Sequence, residues 1–396
     1  MSGRIRRLGS IALTIALTGS LAGGTAASSA RPFAITRAVA ITRAVAITRA
    51  VADPVADPVA GPVADAATPS IAQLVGQKLV VRMDGTTPSA DLLGRIRRGE
   101  VGGVILFGAN ITSASGLRTL TGQLHAAATA GGRPPLLIAV DQEGGSVKRI
   151  PWAPPTLSPP QMGALASTSV ARSQGAATGA ALRDLGIDVD LAPVADVPVA
   201  SSSFMESEGR TWSRNPSRTA WLAYSFAQGL AARGVLPTLK HFPGIGLATR
   251  NTDSFVVSIK ASRSALSAGL RPYGLAVTKG LPLVMLSNAS YPAYDTVHAA
   301  GWSPAIIGGL LRGQLGFRGA TITDSLDGTA HARGISVRRI AAAAARAGAD
   351  LILTTGSESS SRAVFAYLLQ QVTAGTIPIA TLRASYDRIL TLKARG

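Results

Sequence analysis

Cysteine is absent from all 396 residues, so disulfides, thiolate metal sites, a cysteine nucleophile and a lipidated N-terminal cysteine are excluded. Histidine occurs only four times, which leaves little from which to build a zinc centre, and no metal is expected. Aromatic residues make up 5% and charged residues 15% of the chain, against 46% apolar residues and a mean hydropathy of +0.28. That balance excludes a disordered chain, a coiled coil and a collagen-like repeat. Acidic residues are scarce too, 21 against 39 basic ones, for a net charge of +18 and a pI near 11.3. Nucleic acid is the first partner such a charge suggests. Yet no basic run exceeds Arg-Ile-Arg-Arg at residues 4–7, and no aromatics interleave with the arginines to stack bases. The expectation is an arginine-rich solvated surface and no nucleic-acid partner, with attraction to an anionic cell wall or polymer as the alternative.

What is present begins with export chemistry. Arg4, Arg6 and Arg7 precede an apolar stretch from Leu8 to Ala22, followed by small residues and cleavage points after Ala27 or Ala30. Residues 1–30 therefore read as a secretory signal, and a secreted or cell-wall-associated protein is expected. An uncleaved anchor competes with this, but Ser10, Thr14, Thr18 and Gly19 interrupt a stretch already short of the ~20 residues a span needs. Ala-Ile-Thr-Arg-Ala-Val then occurs three times, followed by proline-bearing four-residue repeats up to Val63. Residues 31–66 read as a disordered, extended spacer. A wall-binding arm built on Arg37, Arg43 and Arg49 is the competing reading.

From about residue 67 short apolar runs alternate with helical patterns. Eight strands are expected: 78–83, 103–107, 136–140, 188–192, 237–241, 283–287, 320–323 and 351–355. Helices are expected between them, with a last one over 380–394. Eight strand–helix units in residues 67–396 fit a single (β/α)8 barrel, the open doubly wound sheet being the alternative. A barrel demands chemistry where strands end. Three apolar runs end in polar residues there: Asp141-Gln142-Glu143 before two glycines, Lys240-His241, and Thr323-Asp324-Ser325. A carboxylate held among a lysine, a histidine and arginines keeps a low pKa and suits a nucleophile. Carboxylates beside hydrogen-bond donors suggest glycoside hydrolysis. Lys240 alone would also allow a Schiff-base aldolase, and a binding-only glycan module is a third reading.

Residues 102–111 (GGVILFGANI), 141–149 (DQEGGSVKR), 186–197 (GIDVDLAPVADV), 240–244 (KHFPG) and 315–326 (LGFRGATITDSL) together resemble, in order, the signatures of glycoside hydrolase family 3, in its β-N-acetylhexosaminidase branch. The resemblance covers about residues 70–395. It implies a secreted retaining β-glycosidase, β-N-acetylglucosaminidase-like, without a cofactor and expected to be a monomer, acting on a carbohydrate that could derive from peptidoglycan. It implies Asp324 as the nucleophile and Asp141, Arg149, Arg210, Lys240 and His241 as the grip on the sugar. One departure stands out. Where this branch carries Asp-Ser-His, with Asp and His as the acid/base pair, the chain reads Asp253-Ser254-Phe255. Phenylalanine carries no proton, so the donor is either another group, with Asp253, Glu206, Glu208 and His331 as candidates, or dispensable, or lost in a binding-only relative.

Overall fold

A computed structural model describes residues 68–396, so the expected signal and spacer lie outside the described residues. Ten strands occur in chain order: β1 (Leu79–Arg82), β2 (Gly103–Leu106), β3 (Leu137–Val140), β4 (Gln142–Gly144), β5 (Val147–Lys148), β6 (Val189–Asp190), β7 (Leu236–Phe242), β8 (Leu283–Leu286), β9 (Ala320–Thr323) and β10 (Ile352–Thr354). Eight of them pair in parallel in the order β10-β1-β2-β3-β6-β7-β8-β9. A parallel bridge between Ile322 and Leu351 returns β9 to β10, with Leu351 N–H donating to Thr321 O at 2.8 Å. The sheet is thus a barrel ringed by helices, and the open doubly wound alternative is excluded.

All eight expected strands are present, with two notable differences. The strand expected at 188–192 is shortened to Val189–Asp190, although bonds to its neighbours continue beyond it, from Leu191 N–H to Val140 O and from Thr238 N–H to Ala192 O, both at 2.8 Å. The short hairpin β4–β5 was not anticipated. It turns on Gly144 and Gly145, at φ 94° and 62°, and a Cβ on Gly144 would stand 2.9 Å from Leu157 O, so only glycine fits.

Helices open where serine can accept the orphan N–H groups of the first turn. Ser70, Ser89, Ser113, Ser158, Ser167, Ser262 and Ser357 all do so. The helix between β8 and β9 is π-wound from Ala305 to Gln314. The helix after β10 is Glu358–Thr373, which was overlooked because its Glu-Ser-Ser-Ser-Arg start hides its apolar spacing. The final helix, Ile379–Lys393, is therefore extra. Its Ile389 and Leu392 join the barrel's interior cluster, and Lys393 Nζ donates to Gln77 Oε1 and Gly102 O at 2.7 and 2.9 Å.

Strand residues alternate faces, and this positions the site. Leu137 and Ala139, Leu283 and Met285, and Ala320 and Ile322 belong to the interior cluster. Burying each large aliphatic of that set stabilises the fold by about 1.5–3 kcal/mol. Two residues beyond Ala139 comes Asp141, two beyond Thr238 comes Lys240, and two beyond Ile322 comes Asp324. The same parity that fills the barrel with apolar side chains aims these three polar groups along its axis as the strands end.

Candidate active site

Seven of the sequence-derived candidates line one cavity of about 390 Å³ at the strand-exit end: Asp141, Arg149, Arg210, Lys240, His241, Asp253 and Asp324. Its centre is a chain of alternating charge. Lys240 Nζ lies 2.8 Å from Asp141 Oδ1 and 2.6 Å from Glu143 Oε1. Arg210 clamps Glu143 with two bonds of 2.9 and 2.7 Å. At the other end, the β4–β5 hairpin returns Arg149 to within 3.4 Å of Asp141 Oδ2, with its guanidinium 5.6 Å from the ring centre of Phe107.

These contacts set the protonation states. Burial alone would push the Asp141 carboxyl up, but the charges of Lys240 and Arg149 outweigh it and hold the group below the usual carboxylate range. Burial likewise works against ionised Glu143, yet Lys240 and Arg210 bring it down to about 2. For Lys240, burial favours the neutral amine, and Asp141 and Glu143 reverse this, so its pKa is raised. A lysine held protonated by two carboxylates is no amine nucleophile, which disposes of the aldolase reading.

Glu143 is the residue whose importance the sequence did not reveal. It is 2% exposed, and both its oxygens are used. Removing one partner of a buried pair costs about 3–5 kcal/mol, because the remaining charges lose compensation. Glu143→Ala should therefore lower the unfolding free energy by about that amount in a denaturant titration. Glu143→Ala with wild-type stability would show that the clamp is dispensable.

His241 is oriented from behind. Its Nδ1 lies 2.7 Å from Asp196 Oδ2, while Asp196 Oδ1 accepts the N–H of Ile245 at 2.7 Å. Asp196 is wholly buried; its own motif was noted in the sequence, but its partner lies 45 residues away. The Lys240–His241 peptide is cis, and both side chains line the cavity.

On the opposite wall stand two more carboxyls. Asp324 Oδ1 accepts the N–H of Ser325 at 2.8 Å, which fixes the group and leaves Oδ2 without a partner among the described residues. Asp253 Oδ1 accepts from Asn288 Nδ2 at 3.2 Å, and the same amide donates to Ser325 O at 2.8 Å, tying the Asp253 loop to the end of β9. Burial, reinforced by the negative charge of Asp324, pushes the Asp253 carboxyl up to about 7. Of the four candidate proton donors, only Asp253 lines the cavity. Glu206 is paired with Arg214 at 2.8 Å, and Glu208 and His331 are exposed elsewhere. Phe255 is not among the lining residues; it lies 42% exposed with the Arg250 guanidinium 3.5 Å from its ring centre.

Against known proteins, the model of the glycosyl hydrolase family 3 N-terminal domain matches residues 70–392. The chain belongs to glycosyl hydrolase family 3. An uncharacterized secreted glycosyl hydrolase of Arthroderma benhamiae is 32% identical over 332 residues, covering 82% of this chain and 94% of that protein. Among solved structures, the family 3 β-N-acetylglucosaminidase of Paenibacillus sp. superposes with a TM-score of 0.80 at 30% identity. This chain is covered to 83% there, and spans 63% of the longer Paenibacillus chain. The β-N-acetylhexosaminidase of Beutenbergia cavernae gives a TM-score of 0.77 at 30% identity, over 83% of this chain and 99% of its own. In this family 3 chain, Asp141, Arg149, Arg210, Lys240 and His241 share one cavity. Among its described residues, no three metal-ligating side chains cluster, and no helix is long and apolar enough to cross a membrane.

Proposed function

We propose that this family 3 hydrolase is an exported, retaining β-N-acetylhexosaminidase that works through Asp324 and Asp253. The observation that carries this reading is that two carboxyls in one cavity have opposite surroundings. Asp324 is held by a backbone N–H and open at Oδ2, while Asp253 is kept protonated near neutrality by burial and by Asp324. A carboxyl with a raised pKa suits the acid, and a neighbouring carboxyl with an open oxygen suits the nucleophile. In the first step Asp324 Oδ2 attacks the anomeric carbon as the glycosidic C–O bond breaks and Asp253 gives its proton to the departing oxygen. In the second, Asp253 takes a proton from water, whose oxygen attacks the anomeric carbon and releases Asp324. The configuration is inverted twice and so retained. The hexosamine preference is supported by the Paenibacillus and Beutenbergia neighbours, and export by residues 1–30 together with the secreted Arthroderma relative.

Lys240, Asp141 and His241 hold the sugar's hydroxyls and acetamide in this scheme. Losing a charged hydrogen-bond partner costs roughly 1.5–3 kcal/mol. Asp141→Asn, Lys240→Met and His241→Ala should each weaken binding of N-acetylglucosamine by about tenfold to a hundredfold in calorimetry. Unchanged affinity in all three would leave them a structural role only.

The function itself is tested with nitrophenyl β-glycosides. The β-N-acetylglucosaminide should be hydrolysed far faster than the β-glucoside, with the β-anomer as first product by NMR. Comparable rates on both would sink the hexosamine assignment, and an α-anomer the retaining one. A second reading is favoured by one observation, Phe255 in place of histidine: a binding relative that holds N-acetylglucosamine without turning over even activated aryl glycosides.

A further inference from the structure

We propose that the strand-entry end of the barrel, opposite the cavity, is a docking face for a linear polyanionic polysaccharide. The connections that enter the strands at this end carry basic residues: Arg98, Arg133, Arg183, Arg233, Lys279 and Arg318 precede β2, β3, β6, β7, β8 and β9. Arg346 stands before β10. A cation near a helix C-terminus gains about 0.3–1 kcal/mol from the helix dipole, which would account for such residues one by one.

The dipole does not account for what lies between them. Two grooves of about 360 and 370 Å³ adjoin there and share Gly280, Leu281, Pro282 and Arg395. The first is edged by Arg318, Arg388 and Arg395, and the second by Arg172, Lys279 and Arg395. Neither lining contains an aspartate or glutamate. Of these five cations, only Arg388 has a carboxylate within 4.0 Å among the described residues, Asp350 at 2.8 Å. Arg172, Lys279, Arg318 and Arg395 are exposed.

Positive charge continued from one groove into the next fits a ligand whose negative charge repeats along its length, rather than a single compact anion. Nucleic acid is disfavoured by the lining. Base-reading grooves offer aromatic platforms, whereas Phe317 is 2% exposed and buried beneath the first groove, and Tyr224 is the one aromatic edge of the second. A glycan backbone bearing carboxylates or phosphodiesters needs cations and no stacking, which is what the two linings offer. Because the grooves and the cavity occupy opposite ends, a polymer held at one leaves the other open. Retention on a charged matrix then proceeds independently of hydrolysis, whatever sugar the cavity takes.

The test uses the full chain and polygalacturonate as probe, with binding measured between about 50 and 200 mM salt, where losing phosphate-type contacts flattens the log–log slope. The triple variant Lys279→Gln, Arg318→Gln, Arg395→Gln should lose at least tenfold in affinity at the lower salt and show a salt slope shallower by about two. Its turnover of a small aryl glycoside should stay at the wild-type value. A charge-matched triple on the strand-exit side, Arg218→Gln, Lys260→Gln, Arg263→Gln, should bind the polymer as wild type does. Wild-type binding by the first triple, or an equal loss in the second, would overturn the face. Tighter binding of duplex DNA than of polygalacturonate, at matched charge concentration, would overturn the glycan.

Discussion

Asp324→Ala should abolish hydrolysis of aryl β-N-acetylglucosaminides, with kcat reduced by roughly 10³-fold or more, while the protein unfolds as the wild type does. The side chain sits just past the end of β9, and among the described residues it bonds only to the N–H of the next residue, so the barrel loses almost no packing when it goes. Stereochemistry makes the test sharper than a rate alone. In the alanine variant, azide fits the space left by the carboxylate and attacks the anomeric carbon from that side, so an activated β-substrate yields the α-glycosyl azide. Rescue with that product identifies the missing group as the nucleophile. Wild-type turnover in Asp324→Ala would end the assignment.

Asp253→Asn should split substrates by leaving group. A dinitrophenyl glycoside departs without a proton and should form the glycosyl-enzyme at nearly the wild-type rate. A natural disaccharide should slow by about 10²- to 10⁴-fold, the usual worth of general acid help. Azide here intercepts the intermediate on Asp324 and gives the β-glycosyl azide, the opposite anomer from the nucleophile variant. The pH profile follows from the raised pKa. Asp253 must be protonated to act as acid, so wild-type kcat/KM for the disaccharide should fall as pH rises through about 7. That limb should vanish in the asparagine variant. The same shift acts on stability with a definite sign. A carboxyl whose folded pKa lies above its unfolded value loses folded-state preference as pH climbs from about 4 to about 7, and Asp253→Asn should remove that decline. If Asp253→Asn cleaves disaccharides normally, the proton comes from elsewhere. Phe255→His then bears on the reading of Phe255 as a lost donor: improved disaccharide cleavage with an intact Asp253 would show that a histidine at this position can share the proton.

The barrel was legible because its strands are nearly continuous apolar runs, and the end of each run is where side-chain parity meets solvent. Asp141, Lys240 and Asp324 could be read for that reason alone. Arg210 could not. It lies on a loop, and only a motif resemblance drew it into the site; its clamp on Glu143, 67 residues earlier in the chain, has no signal in the sequence. The support beneath the site was equally hidden. Asp196 behind His241, and Asn288 between Asp253 and Ser325, act through partners 35 to 45 residues distant, and no local pattern encodes such pairings. The resemblance put Phe255 where its branch carries a histidine. It did not show that Phe255 is absent from the cavity lining and stacks on Arg250, while Asp253 lines the cavity.

The alternating run Arg149, Asp141, Lys240, Glu143, Arg210 has a consequence for how this site can be changed. Each member neutralises the next, so a substitution at one alters the surroundings of one neighbour at the ends of the run and of two within it, and the effects of paired substitutions should depart from additivity by about 0.5–3 kcal/mol in double-mutant cycles. If these residues grip the sugar as proposed, specificity is held collectively. A redesign that swaps one charge to fit a different sugar leaves its neighbours mismatched, and a new preference is reached only by exchanging several links of the run at once.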